Sequence, residues 1–366
     1  MTEWIKREHS KTEIDRYGEV LRDWWNSKDG EIEEAEFNRG LNVVQNWRSS
    51  HALPLFTFRM GLTQRARRIE RTALIAQRMK RLSSVLNKLG REPSMKLSQM
   101  QDLGGCRAIV SSVAAAQQIA ALYRDPANDA EGLSKCYDYI KTPKEDGYRG
   151  IHVVGRYRPR LDKYAAWNGQ RIEIQIRSQL QHAFATAVET VTTFTRSRLK
   201  FGGGQPRWRR FFSLMGSAIA IREGTAIVPG TPLRVDNLVG ELRESARELK
   251  VRQRLRGWTD ALRTLPKKGV GKSSWLMLVL DVSGKTVKVT GFSDRKKAAS
   301  AVEEIEREGN TEIDAVLVWV NSINELRKAY PNYYADTAAF LHALDFSLAR
   351  GKLHRLANEE RPPLIV

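Results

Sequence analysis

Only two cysteines, Cys106 and Cys136, occur in the 366 residues. That excludes a disulfide framework and a cysteine-rich metal site, and a reducing cytoplasm is the expected compartment. Long apolar runs are missing too. The longest, WLMLVL and AVLVWV, have the length of strands and fall far short of a bilayer. MTEWIKREHS, the first ten residues, is charged from its third position and has no apolar core, so no secretory signal peptide is expected. The chain contains no G-x-x-x-x-G-K-[ST] phosphate loop, kinase signature set, His/Cys zinc spacing or G-x-S-x-G elbow. It also lacks internal repeats and low-complexity segments.

An apolar fraction of 41% with nine tryptophans indicates a packed protein, and the length suggests two domains. The formal charge is +19 and the sequence pI near 10.0. A charge of that size points to a polyanionic partner, nucleic acid before membrane, since no basic amphipathic tail is evident. Bases concentrate in 59–91 and 196–210, whereas 271–345 holds slightly more acids than bases. The charge therefore belongs to the N-terminal part of the molecule.

Residues 1–58 read as helical pieces with aromatic anchors, interrupted at Gly30, Gly40 and Pro54. A helix is expected from Leu62 to Leu89, stopped by Gly90 and Pro93. CRAIVSS, YDYI, IHVVGRYR and RIEIQIRS read as strands, with helices over Val113–Tyr123 and from Leu180 to about Thr195. FGGGQP and LPKKGVGKSS punctuate the chain. After them comes a β-β-α-β pattern. The expected division is an N-terminal helical segment (1–58), a catalytic domain (59–215), a helical connector (216–270), a small C-terminal module (271–345) and a tail (346–366).

Four islands in the N-terminal half carry polar groups that packing does not demand. Arg78, Lys80, Arg81 and Lys88 form the first. On one helix, Arg71, Arg78, Arg81 and Lys88 would share a face that repels itself unless an anion neutralises it; a solvated face is the alternative. The second is Asp102, read as preceding a Gly-Gly turn and a buried strand that carries Arg107, with a self-satisfied ion pair as the alternative. The third is DYIKTPKEDGYRGIH, with Lys141, Lys144, Asp146, Tyr148, Arg149 and His152; Tyr148 offers a flat face to a base. In the fourth, RIEIQIRS, alternation sets Glu173, Gln175 and Arg177 opposite Ile172, Ile174 and Ile176. A solvent-exposed sheet face is the alternative there. Together the islands supply cations for ATP phosphates, two carboxylates for Mg²⁺ (Asp102 and Glu173) and an aromatic platform. The residues themselves indicate an Mg-dependent enzyme acting on nucleotides.

The order and spacing of RMKRLSSVLNKL, DLGGCR, DYIKTPKEDGYRGIH, EIQIRS and HAFATAVET resembles the synthetase domain of the RelA/SpoT family over roughly residues 60–195. The resemblance implies an α+β, nucleotidyltransferase-like mixed sheet flanked by helices. It also implies transfer of the β,γ-pyrophosphate of ATP to a 3′-hydroxyl. Arg78, Lys80, Lys88 and Arg107 would bind ATP, Asp102 would hold Mg²⁺, and Glu173 would act as general base or second metal contact. Lys144, Asp146, Tyr148, His152, Gln175 and Arg177 would form the acceptor side. Family members usually carry Asn where Asp146 stands and Ser where Gly150 stands, and these departures point away from a guanine-nucleotide acceptor.

Tyr330 and Tyr333, a Y-x-x-Y after the β-β-α-β pattern, resemble those of CapRel-like fused toxin–antitoxins, the toxic small alarmone synthetases of the family. That resemblance implies a C-terminal pseudo-zinc-finger without zinc whose tyrosines occlude the ATP site. Ordinary core aromatics are the alternative. It further implies pyrophosphorylation of the 3′-CCA end of tRNA, release of inhibition by a phage structural (capsid) protein, and no membrane partner. The expected tRNA contacts are Arg65, Arg67, Arg68, Arg196, Arg198, Lys200, Arg207, Arg209 and Arg210. An alarmone synthetase acting on a guanine or adenine nucleotide is the alternative function.

Overall fold

The computed structural model describes residues 4–26, 32–80, 82–124, 133–195, 206–255, 275–281, 286–293, 295–308, 313–319, 337–349 and 351–358. Three helices open the chain: α1 (Lys11–Asn26), α2 (Glu34–Ser50) and α3 (Ala52–Ile69). Gly40 and Pro54 do not interrupt them. Gly40 lies inside α2, where a Cβ would meet Leu21 and Tyr17 at 3.2 Å, so it is the close-approach point of α1. Pro54 sits in the first turn of α3, where a missing N–H costs nothing.

The expected helix over Leu62–Leu89 does not form. In its place stand the end of α3, strand β1 (Leu74–Met79) and helix α4 (Leu82–Arg91). Local preference favours helix there, but two tertiary features outweigh it. The Glu70 carboxylate accepts hydrogen bonds from Ser111 N (3.0 and 3.1 Å) and Ser111 Oγ (2.7 Å), which stitches the turn after α3 to the sheet. Beyond the turn, β1 pairs antiparallel with β2 (Gly104–Val110) from Leu74↔Ile109 to Met79↔Gly104. Arg71, Arg78 and Lys88 therefore lie on a turn, a strand and a helix, and the single cationic helix face is replaced by convergence from separate elements. Arg81 lies outside the described residues. Gly104 and Gly105 belong to β2 itself and form no turn.

Helix α5 (Val113–Arg124), strands β3 (Leu133–Asp138), β4 (Ile151–Arg156) and β5 (Arg171–Ser178), and helix α6 (Gln179–Thr195) complete the first body. The sheet order is β1-β2-β5-β4-β3. Strands β2 and β5 run parallel and every other pair is antiparallel, so the sheet is mixed. Alternation along β5 holds: Ile172, Ile174 and Ile176 are fully buried in the core beneath α3 and α5. The opposite face carries the polar groups.

Helices α7 (Pro206–Glu223) and α8 (Val235–Glu248) follow, then β6 (Trp275–Asp281), β7 (Thr286–Phe292), α9 (Arg295–Arg307) and β8 (Ile313–Trp319). This is the expected β-β-α-β order, in a sheet β7-β6-β8. The chain then returns. Helix α10 (Ala338–Leu348) puts Phe340, Leu341 and Leu344 into one core with Phe184 of α6, Trp208, Phe211 and Phe212 of α7, and Leu242 of α8; α11 (Lys352–Asn358) adds Leu353. Residues 275–319 are thus bounded on both sides by segments of the same core. Strand β8 lies against β1, and Arg307 donates to Asn42 Oδ1 at 3.3 Å. Helices α3, α7 and α10 run through residues 58, 215 and 345, so these three expected boundaries fall inside helices. No described helix is long and apolar enough to cross a membrane.

Candidate active site

Strand registers place the polar side chains in rows across the open face of the first sheet. One row runs Ala76–Arg107–Gln175–His152–Tyr137, and its neighbour runs Arg78–Gly105–Glu173–Val154. Gly105 has no side chain between Arg78 and Glu173, which leaves the floor between them open. An open cleft lies over this end of the sheet, lined by Arg78, Lys80, Asp102, Arg107, Glu173 and Gln175.

Asp102, just ahead of β2, accepts from Lys80 Nζ at 2.7 Å and from Lys88 Nζ at 3.1 Å. The alternative of an Asp102–Arg107 pair gives way to this two-lysine arrangement. Lys80 is fixed in turn because its backbone N–H donates to Leu103 O at 2.7 Å. Burial raises the Asp102 carboxyl, but the charges of Lys80 and Lys88 outweigh it and hold the group below the usual range. Burial pushes the Lys80 ammonium down, partly offset by Asp102. Arg107 is more extreme: burial, then repulsion from Arg177 and Arg78, bring its guanidinium down to about 9. Arg78 and Arg107, both lining the cleft, repel each other there, and an anion placed between them relieves that cost.

Further along the face, five side chains close a ring of hydrogen bonds. His152 Nδ1 meets Glu173 Oε1 at 3.0 Å, and Tyr148 Oη meets His152 Nε2 at 2.5 Å. Arg177 donates to Tyr148 Oη from Nε (3.1 Å) and Nη2 (2.8 Å), and from Nη2 to Gln175 Oε1 (2.8 Å). Gln175 Nε2 donates to Glu173 Oε2 at 2.7 Å. Two N–H donors fill the lone pairs of the Tyr148 oxygen, so its own proton points to His152 Nε2. That leaves the Nδ1–H tautomer facing Glu173. Burial raises the Glu173 carboxyl, but His152, the Gln175 amide and the Lys80 charge outweigh burial and hold it well below the ordinary carboxylate range. Glu173 is therefore ionised and, while the ring is closed, weakly basic. It suits a hydrogen-bond acceptor or metal contact better than a strong base.

The DYIKTPKEDGYRGIH loop is built to hold Tyr148 in this ring. Asp146 Oδ1 accepts from Tyr148 N at 3.0 Å, a turn-closing bond that an asparagine would make equally well. Gly147 has φ +86° and Gly150 φ +146°, conformations that favour glycine. A Cβ at Gly147 would strike Phe212 O at 2.5 Å, so the loop rests directly on α7. At Gly150 a Cβ would approach Arg177 and the Tyr148 hydroxyl at 3.2 and 3.4 Å, so the space there is already filled. Arg149 is no ligand for an acceptor. It is buried and donates to Gly216 O, Thr225 Oγ1 and Ala226 O, tying the loop to α7 and to the turn after it. Lys144 Nζ stands 4.4 Å from the Tyr139 ring centroid and 5.4 Å from that of Tyr148. Lys141 is exposed.

Sequence reasoning passed over Tyr139, whose ring stands edge-on to Tyr148 (6.0 Å) and His152 (5.2 Å). The i, i+2 spacing of Tyr137 and Tyr139 was the available signal. Among the expected tRNA contacts, Arg67, Arg68 and Arg207 are exposed, and Arg65 lies 4.4 Å over the Tyr123 ring. Arg210 is held by Glu241 at 2.6 and 2.7 Å, and Arg209 reaches Glu145 at 3.5 Å. Arg196, Arg198, Lys200, Tyr330 and Tyr333 lie outside the described residues.

Among the described residues no group of three His, Cys, Asp or Glu side chains is placed to hold a metal. Two carboxylates bordering one cationic cleft nevertheless fit Mg²⁺, which takes few protein ligands and keeps water and substrate phosphates in its shell. Asp102 and Glu173 would hold such an ion as it arrives with a nucleotide.

The cationic cleft suits phosphate groups, and the chain has no phosphate loop. Residues 77–196 match the family described as "Region found in RelA / SpoT proteins". This stretch, about a third of the chain, runs from the middle of β1 through α6 and takes in every cleft residue named above. The chain thus matches that region over most of its first sheet and over its cleft. Similar solved structures include the small alarmone synthetase 1 of Bacillus subtilis bound to its product pppGpp, at 20% identity, covering 49% of this chain and 94% of that one, with a TM-score of 0.40. A GTP pyrophosphokinase family protein of Streptococcus pneumoniae is likewise 20% identical, covering 55% and 93%, with a TM-score of 0.38. No curated protein matches the chain.

Proposed function

We propose that this enzyme moves the β,γ-pyrophosphate of ATP, with Mg²⁺, to the 3′-hydroxyl of the CCA end of tRNA and so blocks translation. The observation that carries the transfer is the layout of the sheet face. Arg78, Lys80, Lys88 and Arg107 gather at one end, Tyr148 and His152 at the other, and Glu173 between them. ATP phosphates would lie among the cations. The acceptor ribose would lie toward the ring, with Glu173 orienting its hydroxyl and Tyr148 with Lys144 flanking its base and phosphate. Asp102, released from its lysines by the incoming phosphates, would take the metal.

The +19 charge supports a tRNA acceptor, because a single nucleotide needs no field of that extent. Arg67, Arg68 and Arg207 are the exposed arginines among the expected contacts that the structure describes. An alarmone synthetase acting on a guanine or adenine nucleotide is the second reading. It is favoured by Asp146, whose bond to Tyr148 N gives the acid a turn-closing role that leaves guanine unopposed.

Restraint by the C-terminal module belongs to the same proposal. Strand β8 lies against β1, the strand of Arg78, which is where a module occluding the ATP site would dock. Tyr330 and Tyr333 would complete the occlusion as a pseudo-zinc-finger without zinc, and a phage structural protein would lift it as an antiviral response in the cytoplasm.

The test supplies γ-labelled ATP with bulk tRNA and, separately, GDP, GTP and AMP, to the full chain and its Tyr333→Ala variant. Label on tRNA, greater for the variant, is the expected result. Label on a free nucleotide alone would select the second reading.

A further inference from the structure

The polar face of the sheet does not end at His152. Its row continues to Tyr137 on β3, an edge strand, and the side chains that alternate with Tyr137 on that face are Lys135 and Tyr139. The intervening Cys136 and Asp138 turn to the other face, where Arg124 meets them at 3.4 and 3.6 Å. Tyr137 and Tyr139 are parallel, 2° apart in plane with centroids 6.0 Å apart. Tyr139 then contacts Tyr148 and His152 edge-on, so the aromatics form one ladder from the acceptor side of the cleft to the sheet edge.

No core demands this ladder. Tyr137 is 37% exposed, Lys135 two residues before it is exposed too, and the exposed Lys144 stands over the Tyr139 ring at 4.4 Å. A flat aromatic rung with flanking cations is what a single-stranded nucleic acid needs: bases stack, phosphates pair, and the sequence matters little. A mononucleotide filling the Tyr148 pocket would leave the outer rungs bare. The β3 edge is also the sheet edge opposite β1, against which β8 lies.

We propose that Tyr137 and Tyr139, with Lys135 and Lys144, form a stacking track for the nucleotides that precede the terminal residue of a single-stranded RNA 3′ end. This rests on the tRNA reading above and deepens it by naming where the strand runs on leaving the cleft.

The experiment measures binding of a fluorescently labelled NCCA tetranucleotide to the full chain by anisotropy, with unlabelled AMP as competitor for the terminal-nucleotide pocket. For wild type, the tetranucleotide binds more tightly than AMP. In Tyr137→Ala that advantage falls about tenfold, the loss of one stacked base. Tyr137→Phe, which keeps the ring, restores it. Lys135→Ala weakens the tetranucleotide mainly at low salt. An unchanged tetranucleotide advantage in Tyr137→Ala, or none in wild type, would overturn the track. The labelled-ATP assay separates the two ideas. Transfer to tRNA with an indifferent Tyr137 sinks the track alone, whereas transfer only to free nucleotides sinks both.

Discussion

His152 Nδ1 stands 3.0 Å from Glu173 Oε1, and through Tyr148 the same imidazole is tied to Arg177. The carboxylate between the cleft's cations and the proposed acceptor platform is thus held by side chains from two strands and a loop. Arg177 touches no part of the proposed phosphate path and acts as a positioning residue. Arg177→Met, similar in reach but without donors, should lower kcat about 10- to 100-fold through misplacement of the ring, with KM for ATP little changed. Arg177→Lys should rescue only part of the loss, since one ammonium cannot replace the forked donors. A change confined to KM for ATP would place Arg177 on the phosphates.

Glu173→Gln removes the charge but keeps the bond to His152. Transfer should fall at least ~100-fold while a nonhydrolysable ATP analogue still binds. Equilibrium binding and single-turnover rates on the same preparation check both halves. Retained turnover would remove Glu173 from the chemistry.

Arg107 gives a pH signature. Burial and its arginine neighbours bring it down to about 9, below the ordinary arginine value. It is therefore charged near neutrality and loses its proton as the pH rises through about 9. ATP affinity should be level near neutral pH and fall across that window, read by calorimetric titration. Stability of the free protein runs the other way: the unfolded chain keeps this proton to higher pH, so rising pH favours the folded state there. Arg107→Met should weaken binding and shrink the fall to the part owed to Lys80, whose ammonium burial also lowers.

The return of the chain into the first core predicts how truncation behaves. Phe340 is fully buried against Phe184, Phe211 and Phe212. Phe340→Ala should cost about 3–5 kcal/mol in denaturant unfolding. Cutting the chain after residue 270 should expose the same surface and give an aggregating protein, so the β6–β8 module cannot be studied by simple C-terminal deletion. Wild-type stability for Phe340→Ala would contradict the shared core.

Much of the site was legible in the sequence because strand alternation is a strong local signal. RIEIQIRS sorts Glu173, Gln175 and Arg177 onto one face without any tertiary knowledge, and Asp102 stands out ahead of a buried strand. LIAQRM was not legible. Its helix-forming residues become β1 only because β2 offers a partner and Glu70 ties down the preceding turn. Asp146 looked like a specificity residue when only its charge could be read; its bond to Tyr148 N shows a turn-closing role. The Glu173–His152 contact depends on the β4–β5 register, which no local pattern encodes. Tyr137 and Tyr139 were visible as an i, i+2 pair, but only the edge position of β3 gives their exposure meaning.

The central claim is transfer to a 3′-hydroxyl of tRNA. It is tested most directly by incubating the full-length Tyr333→Ala chain and γ-labelled ATP with two tRNA preparations, one intact and one ending in 3′-deoxyadenosine. Label should enter the intact tRNA and be absent from the deoxy form. Equal labelling of both, or label only on added GDP, GTP or AMP, would contradict the account.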